Sequence, residues 1–515
     1  MSYDVVIVGG GHNGLTAAAY LAGAGKRVIV LERLDVVGGA AVSAQSFEGV
    51  DARLSRYSYL VSLLPARIIR DLGLRIELRR RRYSSYTPRP GTDGGLLVDA
   101  GDPQGTARSL GVDAESWATF YDGTSRLARS LFPTVVEPLL TRSEARRAVG
   151  DDALWHSLVE NPIGSTIESA FSDDLVRGVV LTDALIGTFV PDVDPTLTGN
   201  RCFLYHVIGN ETGNWDVPVG GMGAVSAELL DAARRAGAEI VTGAEVTTID
   251  PDGAVSYRLG DTERTVVGQF VLANVAPYVL DRLLGGPSMP GSSTRPEGAQ
   301  VKVNLLLERL PRLRDATVDP VAAFGGTFHI NELWSQLDVA YSTAATGGIP
   351  RPLPCEIYCH SLTDPSILSP ELRASGAQTL TVFGLHTPHR LVGEATNDVV
   401  RAQLQAAVLA SLDSVLAEPI EPLLLVDAGG NPSIETKTTL DLEHALGMPG
   451  GNIFHGPLSW PFLEDDAPQE TAAQRWGVAT AHPRILLCGS GAQRGGAVSG
   501  IGGHNAAMAV LELCD

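Results

Sequence analysis

Cysteine is scarce in this chain, and its distribution excludes several kinds of site. No two cysteines form a CxxC pair, and the five are spread over 515 residues as Cys202, Cys355, Cys359, Cys488 and Cys514. So few and so scattered thiols do not make a disulfide framework, a zinc site or a dithiol redox centre. We therefore expect a reducing, cytoplasmic compartment.

Positive charge and long apolar runs are missing as well. The net charge is −20 and the pI is about 5.0, which argues against nucleic acid as a partner. No apolar run approaches the ~18 residues that predict a membrane span. Strand-like sequence begins almost at residue 1, so no secretory signal is expected. These absences leave a large globular enzyme as the expected class.

The first forty residues carry a nucleotide-binding pattern. Residues 5–8 are an unbroken apolar run, typical of a buried parallel strand, and lead directly into Gly9-x-Gly11-x-x-Gly14. Residues 27–31 predict a second strand, which ends at Glu32. A carboxylate there can accept hydrogen bonds from ribose hydroxyls. This order of strand, glycines, helix, strand and acid predicts a dinucleotide-binding βαβ unit.

A second glycine pair indicates which dinucleotide is bound. Gly38 and Gly39 follow Arg33 at a spacing that resembles the second glycine signature of flavoproteins in the phytoene dehydrogenase and amine oxidase superfamily. In such proteins this pair passes close to the FAD pyrophosphate. The resemblance therefore implies FAD rather than NAD as the cofactor.

The resemblance extends to the far end of the chain. Residues 450–456 (GGNIFHG) and 483–500 (PRILLCGSGAQRGGAVSG) look like the C-terminal FAD signature of the phytoene dehydrogenase-like subfamily that includes pyridine nucleotide-disulphide oxidoreductase domain-containing protein 2. Residues 55–60 and 83–88 continue the match. The FAD-binding residues implied by motif and resemblance are Gly9, Gly11, His12, Asn13, Gly14, Glu32, Arg33, Gly38, Gly39, Ala40, Val246, Gly489, Ser490, Gly496 and Val498.

Two side chains are candidates for catalysis. His455 belongs to the GNIFHG block and is the polar group that we expect near the substrate, with a packed core histidine as the alternative. Arg494 stands where relatives commonly have the proline of a His-Pro-Gly-Gly-Gly-Val sequence. It could replace the family's histidine by placing a positive charge near the flavin ring or the substrate.

The resemblance implies an α/β fold in which a Rossmann-like FAD-binding domain of the amine oxidase/phytoene desaturase type carries an inserted mixed α+β substrate domain. The FAD-binding domain is expected at residues 1–78, 217–281 and 431–515, and the substrate domain at 79–216 and 282–430. Residues 100–216 are mostly helical by their apolar spacing, as in 167–185.

Three features of the predicted substrate domain remain open. The arginine run 79–82 is interpreted as a solvated strand edge, with lipid headgroups or an acidic substrate group as alternative contacts. No metal is assigned, because the histidines of the region lack a partner at metal-ligand spacing. An amine oxidase would need an aromatic cage, for which Tyr57, Tyr59 and Trp460 are candidates.

The expected function is hydride transfer from an apolar polyene-like, lipid or secondary-metabolite substrate to flavin N5. A second nicotinamide-binding unit is missing, since Gly489-x-Gly491-x-x-Arg494 breaks the pattern. The expected electron acceptor is therefore a quinone or dioxygen. A redox-neutral flavin isomerase, an amine oxidase-like enzyme, and a non-catalytic flavin-bound protein are the alternatives. The sequence does not indicate the oligomeric state.

Overall fold

Two seven-stranded sheets organise the computed structural model, which describes residues 2–286 and 294–514. The first sheet joins strands from the beginning, the middle and the end of the chain. In sheet order these are Ala244–Ile249, Ala254–Leu259, Thr262–Ala273, Ser2–Val8, Val28–Leu31 and Glu239–Val241, with Ile485–Leu487 pairing onto Thr262–Ala273. Ser2–Val8 runs parallel to both its neighbours. The apolar run 5–8 is buried on both faces, as its sequence predicts.

The first helix, His12–Gly23, packs between Met222–Ala236 and the C-terminal helix Ile501–Cys514. The C-terminal helix approaches so closely at Gly503 that a Cβ atom there would lie 1.9 Å from the carbonyl oxygen of Asn13. Only glycine permits this contact. The two ends of the chain are thereby fixed together beside the glycine motif.

The second sheet is built from the predicted substrate segments. In sheet order its strands are Ile434–Lys437, Val301–Leu307, Gln378–Gly384, Cys355–Tyr358, Thr327–Ile330, Tyr83–Pro88 and Gly95–Asp99. All neighbours are antiparallel except Thr327–Ile330 and Tyr83–Pro88, which are parallel. Ile434–Lys437 corrects one expected boundary. It pairs with Val301–Leu307 in this sheet, so the chain returns to the first domain after Lys437 rather than at residue 431.

Helices surround both sheets. Those not yet given are Ala66–Asp71, Pro103–Leu110, Ala114–Leu131, Arg142–Val149, Asp152–Trp155, Ile163–Ala170, Asp174–Thr182, Thr198–Val207, Pro277–Leu283, Pro320–Phe324, Trp334–Ala345, His360–Thr363, Pro370–Ser375, Asn397–Asp413, Thr439–Leu446 and Ala472–Arg475. None of the helices described is long and apolar enough to cross a membrane.

The expected helical run 167–185 is divided into two helices. Ile163–Ala170 ends before Asp173, whose carboxylate accepts a hydrogen bond from the backbone N–H of Leu175 and so caps Asp174–Thr182. Asp113 holds the same bend by accepting from the N–H groups of Ser172 and Asp173. These local carboxylate contacts override the apolar spacing that the two segments share. The bend also places Asp183 after the second helix.

Candidate functional site

A cavity of about 920 Å³ is lined by residues of both domains. One part of its wall, which we call the glycine end, includes Gly9, Gly11 and Gly39, in loops that follow strands of the first sheet, and Val246, in the strand Ala244–Ile249. The other part, the charged end, carries Arg81, Asp183, Lys302, His329 and Glu356. Ligands of open parallel sheets bind beyond the carboxyl ends of the strands, which is where the glycine end lies.

The two glycine signatures form a single wall. The N–H of Gly38 donates to the carbonyl of Gly10 at 2.9 Å, and Gly11 and Gly38 make an isolated parallel bridge. A Cβ atom on Gly39 would lie 3.4 Å from the Cα of Gly11. Gly38 and Gly39 also adopt positive φ angles of 121° and 57°, which strain residues with side chains, so the second loop favours glycine.

Most of the predicted cofactor residues line the cavity, and three stand behind its wall. Those at the wall are Gly9, Gly11, His12, Asn13, Glu32, Arg33, Gly39, Ala40, Val246, Ser490, Gly496 and Val498. Gly14 instead allows helix and strand to pack, since a Cβ atom there would lie 2.3 Å from the carbonyl oxygen of Gly9. Gly38 supports the second glycine loop, and Gly489 packs against Asn274.

Asn274 is a wall residue that the sequence analysis missed. It follows the strand Thr262–Ala273, which lies beside Ser2–Val8, and its side-chain Nδ2 donates to the carbonyl of Gly9 at 2.9 Å. It also lines the cavity. A polar residue directly after a buried strand next to the glycine strand is the signal that would have found it.

Glu32 is fixed at the wall by backbone hydrogen bonds. Its Oε2 accepts from the N–H of Gly10 at 2.7 Å, and its Oε1 accepts from the N–H of Leu34 at 2.8 Å. A carboxylate has about four acceptor positions, so each oxygen keeps one for a ligand in the cavity. The predicted role in binding ribose hydroxyls is compatible with this placement.

The glycine end fits a dinucleotide by two further observations. The first turn of His12–Gly23 has no side-chain cap among the residues described, so its N–H groups are available to phosphate oxygens. The buried Oδ1 of Asn13 and Nε2 of His12 also have no partner within the described chain. Buried polar atoms normally have a partner, which indicates that a ligand supplies one here.

His455 lines the cavity, but it belongs to the glycine end. It lies near His12, at the start of the first helix. Burial lowers the pKa of His455 to about 4, so the imidazole is neutral at neutral pH. Its Nδ1 is buried and has no partner among the residues described. The side chain is therefore free to contact a ligand, and its catalytic role stays a prediction.

Arg494 does not have the position that was expected for a catalytic residue. Its side chain is 1% exposed and lies outside the cavity lining. The guanidinium donates to the backbone carbonyls of Thr134, Glu137 and Trp476. It therefore ties loops together on the far side of the wall, and its charge is engaged there. Burial lowers the pKa of Arg494 to about 10, which leaves it protonated at neutral pH.

The charged end is formed mainly by the second sheet. His329 and Glu356 come from neighbouring antiparallel strands, at paired positions. His329 Nδ1 lies 2.7 Å from Oε2 of Glu332 and 4.0 Å from Oε1 of Glu356. Burial raises the pKa of the carboxyl groups of Glu356 and Asp183 above their usual range. A strand register, rather than a sequence motif, brings these groups together.

The predicted absence of a metal ion was based on histidine spacing, which overlooked these carboxylates. His329, Glu332 and Glu356 are all buried, and their nitrogen and oxygen atoms lie within 4.8 Å of one another. The distance of 2.7 Å between His329 and Glu332 is that of a hydrogen bond. The hydroxyl of Tyr358 donates to the other oxygen of Glu356 at 2.6 Å. The group is therefore connected as a hydrogen-bonded network.

An aromatic pair borders the charged end. The rings of Tyr59 and Tyr358 have centroids 4.7 Å apart. The ammonium nitrogen of Lys302 lies 4.2 Å from the Tyr59 centroid and donates to the carbonyl of Tyr57 at 2.6 Å. Burial lowers the pKa of Lys302 well below its usual value. Of the three aromatic residues considered from sequence, Tyr57 and Tyr59 line this cavity, whereas Trp460 lines a smaller one elsewhere.

One member of the arginine run is not at a solvated edge. Arg80 and Arg82 form ion pairs with Asp216 and Asp99 and keep 59% and 64% of their side chains exposed. Arg80 and Arg81 both line the cavity, but only the guanidinium of Arg81 donates to the carbonyl of Trp215 and the hydroxyl of Thr327. The interpretation as a solvated edge is therefore wrong for Arg81. Its position fits the alternative of contact with an acidic or polar ligand group.

Comparisons with known proteins agree with this architecture. Residues 7–67 match the family described as NAD(P)-binding Rossmann-like domain. Cyclohexylamine oxidase from Brevibacterium oxydans superposes with a TM-score of 0.56 at 16% identity, over 99% of both chains. The chain therefore has a mixed α/β fold with a Rossmann-like domain, similar to the fold of this amine oxidase, and the predicted fold class is confirmed.

Two relatives cover nearly all of the chain. The protein Rv0897c of Mycobacterium tuberculosis is 58% identical over 524 residues, which span 99% of this chain and 97% of the relative. The chain belongs to the same family as this mycobacterial protein. Pyridine nucleotide-disulfide oxidoreductase domain-containing protein 2 of Rattus norvegicus is 28% identical over 563 residues, 99% of this chain and 93% of the relative. The predicted relationship to that protein is thus confirmed.

Proposed function

We propose that this protein is an FAD-dependent oxidoreductase that takes a hydride from an organic small molecule. The observation that carries the proposal is the contact between the two glycine signatures, which lie together at the cavity. The family resemblance implies that flavoproteins have the second signature and that nicotinamide dehydrogenases have no counterpart to it. That wall opens into the same cavity as the charged end. One continuous cavity can therefore hold a dinucleotide and a substrate beside it.

The residues present assign the parts of the cofactor site. The backbone of Gly11 and the first turn of His12–Gly23 would face the pyrophosphate, and Glu32 would accept hydrogen bonds from ribose. The backbone at Val246 would lie at the adenine, as the family resemblance implies. Bound FAD would supply a hydride acceptor at N5. The protein itself orients the substrate and excludes water.

The wall around the charged end narrows the class of substrate. It includes aromatic and aliphatic side chains, namely Trp117, Tyr121, Val179 and Ile186. It also includes Arg81, Asp183 and Glu356, whose polar groups would be costly to leave unpaired against a pure hydrocarbon. We therefore propose that the substrate is a lipid or secondary metabolite with at least one polar group. An all-apolar polyene, the substrate expected for a phytoene dehydrogenase-like desaturase, fits this wall less well.

The electron acceptor in this proposal is a quinone or dioxygen. Within the described residues, the parallel part of the first sheet is completed by Ile485–Leu487 and provides one glycine-rich site. The four buried cysteines are free thiols, which disfavours a disulfide reductase. NADPH added without oxygen should leave the flavin oxidised, and rapid bleaching by NADPH would overturn this part of the proposal.

The test of the main proposal is an anaerobic visible spectrum of the purified protein. FAD released by denaturation should be identified by chromatography, with about one equivalent per chain. A lipid and polyene extract of the host should then bleach the bound flavin. No bound flavin would overturn the proposal. Bound flavin that no extract bleaches would favour an isomerase or a non-catalytic protein.

Amine oxidation is the second candidate. The aromatic pair of Tyr59 and Tyr358 favours it, as does the likeness of the fold to cyclohexylamine oxidase. Simple amines form a parallel set in the same spectral experiment. Bleaching by amines and not by the lipid extract would select this candidate.

His455 provides a test of the catalytic assignment. His455→Ala should keep FAD but lose turnover, because the imidazole lies at the wall and has an unpartnered nitrogen. His444→Ala, at an exposed position, is the control. FAD content and the rate of flavin bleaching should be measured for both variants. An unchanged rate of flavin bleaching in His455→Ala would show that His455 serves only packing.

A further inference from the structure

The histidine of the charged end is held by a carboxylate behind it. Nδ1 of His329 lies 2.7 Å from Oε2 of Glu332, and the same oxygen accepts a hydrogen bond from the hydroxyl of Thr182 at 2.8 Å. Glu332 is 1% exposed, whereas His329 lines the cavity. With Nδ1–H donating to Glu332, the imidazole keeps its lone pair on Nε2, which makes no hydrogen bond within the described chain.

This is the arrangement that makes histidine a base in unrelated enzymes. A buried carboxylate fixes the tautomer and orientation of the ring and stabilises the imidazolium that forms. Burial alone lowers the pKa of His329, but nearby carboxylates, with Glu332 the strongest, outweigh burial and raise this pKa from its ordinary value. The raised pKa makes the imidazole a stronger base for proton transfer.

We propose, on the basis of the flavin oxidoreductase function above, that His329 accepts the hydroxyl proton of an alcohol substrate and that Glu332 is its positioning residue. The carbinol C–H bond breaks and its hydride goes to the bound flavin. The O–H bond breaks and its proton goes to Nε2 of His329. The C–O bond becomes C=O, so the substrate is oxidised by two electrons and FAD is reduced by two.

The chemistry of the base selects the alcohol over the other substrate classes. A neutral amine can lose a hydride to give an iminium ion without giving up a proton at the same time. An unactivated alkane C–H is far too weak an acid for imidazole. An alcohol needs its O–H proton removed as the carbonyl forms, and the imidazole that Glu332 holds is a base for that step. Glu356 and Asp183 add hydrogen-bonding groups at the same end of the cavity.

The first test measures the dyad without a substrate. Diethyl pyrocarbonate acylates unprotonated imidazole, and peptide mass spectrometry resolves each histidine of the flavin-loaded protein. The pH profile of the rate at His329 should give an apparent pKa above the ordinary histidine value of about 6.5, with a histidine model peptide as the reference. Glu332→Gln should lower the value at His329, and each unit of decrease gives about tenfold faster modification at low pH.

The outcomes of this test are decisive in both directions. No modification of His329, or a profile that Glu332→Gln leaves unchanged, would overturn the proposal, while the flavin function would stand. If Glu332→Gln fails to fold, the wild-type profile of His329 against the model peptide still decides. Addition of zinc before the reagent shows whether the group binds a metal instead. Strong protection of His329 by equimolar zinc would count against the proton network.

The second test identifies the functional group of the substrate. Host extract that bleaches the flavin is acetylated, which blocks hydroxyl and amino groups, and one portion is then treated with mild alkali, which frees hydroxyl groups only. Bleaching should disappear on acetylation and return after alkali, and extract carried through the alkaline step alone is the control. Bleaching that survives acetylation, or that alkali does not restore, would overturn the alcohol. Absence of bleaching by untreated extract would overturn the proposed function itself.

Discussion

The two ends of the cavity differ in what shapes them: backbone conformation at the glycine end and side chains at the charged end. At the glycine end backbone conformation shapes the two glycine loops, and Gly9, Gly38 and Gly39 adopt positive φ angles of 100°, 121° and 57°. At the charged end the wall is side chains, which converge because strands of the second sheet pair in one register. Glycine is required by the first kind of wall and leaves a motif. A wall of side chains can be made by many residue types, so it leaves no motif in the sequence.

The largest expected effect concerns Arg494, which the motif placed at the glycine end and the structure places behind it. Arg494→Met should lower the free energy of unfolding by roughly 3–5 kcal/mol, because one buried and two partly buried carbonyls lose their donor, at about 1–3 kcal/mol for each buried group. Urea unfolding measures the loss. FAD that remains bound to the folded fraction would confirm that the residue supports the wall from outside.

The matched control is Arg484→Met, at the residue before the strand Ile485–Leu487, which Arg494 follows. Arg484 is exposed and donates to the carbonyl of Asp252 at the surface, so its replacement should change stability by no more than about 0.5 kcal/mol. Equal losses in the two variants would contradict the structural role of Arg494. An unchanged stability of Arg494→Met with altered flavin bleaching would restore its catalytic role.

The next effect tests whether glycine is required at a position that no ligand touches. Gly14→Ala would put a Cβ atom 2.3 Å from the carbonyl oxygen of Gly9, and we expect a loss of about 1–3 kcal/mol together with most of the bound FAD. Gly23→Ala, at the end of the same helix, meets no atom within 4 Å and is the control. Thermal unfolding and FAD content should be measured for both. A Gly14→Ala protein with normal FAD would show that the helix can move away from the strand without cost.

The same difference explains how far the sequence could be interpreted. The first strands and the position of Glu32 follow from a motif with a fixed conformational purpose, and Val246 and the return of the chain at residues 483–500 were expected from the family resemblance. Residues 431–437 were assigned to the wrong domain because a strand of four residues carries no sign of its partner. Only the pairing with Val301–Leu307 decides where it belongs.

The charged end shows what one sequence cannot supply. His329 and Glu356 are 27 positions apart, and they meet because their strands are antiparallel neighbours with these two residues paired. The sequence analysis looked for histidine partners at metal-ligand spacing, so it missed the carboxylates of Glu332 and Glu356 beside His329. Arg81 is similar, since the sequence does not distinguish it from its neighbours, whereas in the structure its guanidinium bonds to Trp215 and Thr327 at the cavity wall.

A smaller effect should appear in the pH dependence of stability. Burial raises the pKa of Glu356 above its usual 4.5, so the folded protein holds a proton that the unfolded chain releases. The stability that Glu356 contributes is fully present below pH 4.5, and it is lost as the pH rises through the pKa of Glu356 in the folded protein. In the wild type the unfolding free energy should therefore fall with rising pH, by up to about 1.4 kcal/mol per unit from this group.

Glu356→Gln keeps the shape of the protonated side chain and its bond from Tyr358, so it should remove this slope and be more stable than the wild type at alkaline pH. Glu263→Gln, at an exposed position, should leave the slope unchanged. Urea unfolding across the pH range measures all three proteins. A wild-type slope that Glu356→Gln does not alter would show that the carboxyl is ionised in the folded state, with His329 as its counter-charge.

The smallest effect separates two neighbouring arginines that the sequence does not distinguish. Arg80→Gln removes an ion pair with Asp216 in which the arginine is 59% exposed, and we expect a loss of about 0.2–1 kcal/mol that shrinks at high salt. Arg81→Gln leaves the carbonyl of Trp215 and the hydroxyl of Thr327 without their donor inside the cavity wall, where salt does not screen the loss. Urea unfolding at low and high salt should therefore give a salt-sensitive loss for Arg80 and a salt-insensitive one for Arg81. The same salt dependence at both positions would mean that Arg81 is solvated like its neighbours, and the charged end would then lack its guanidinium.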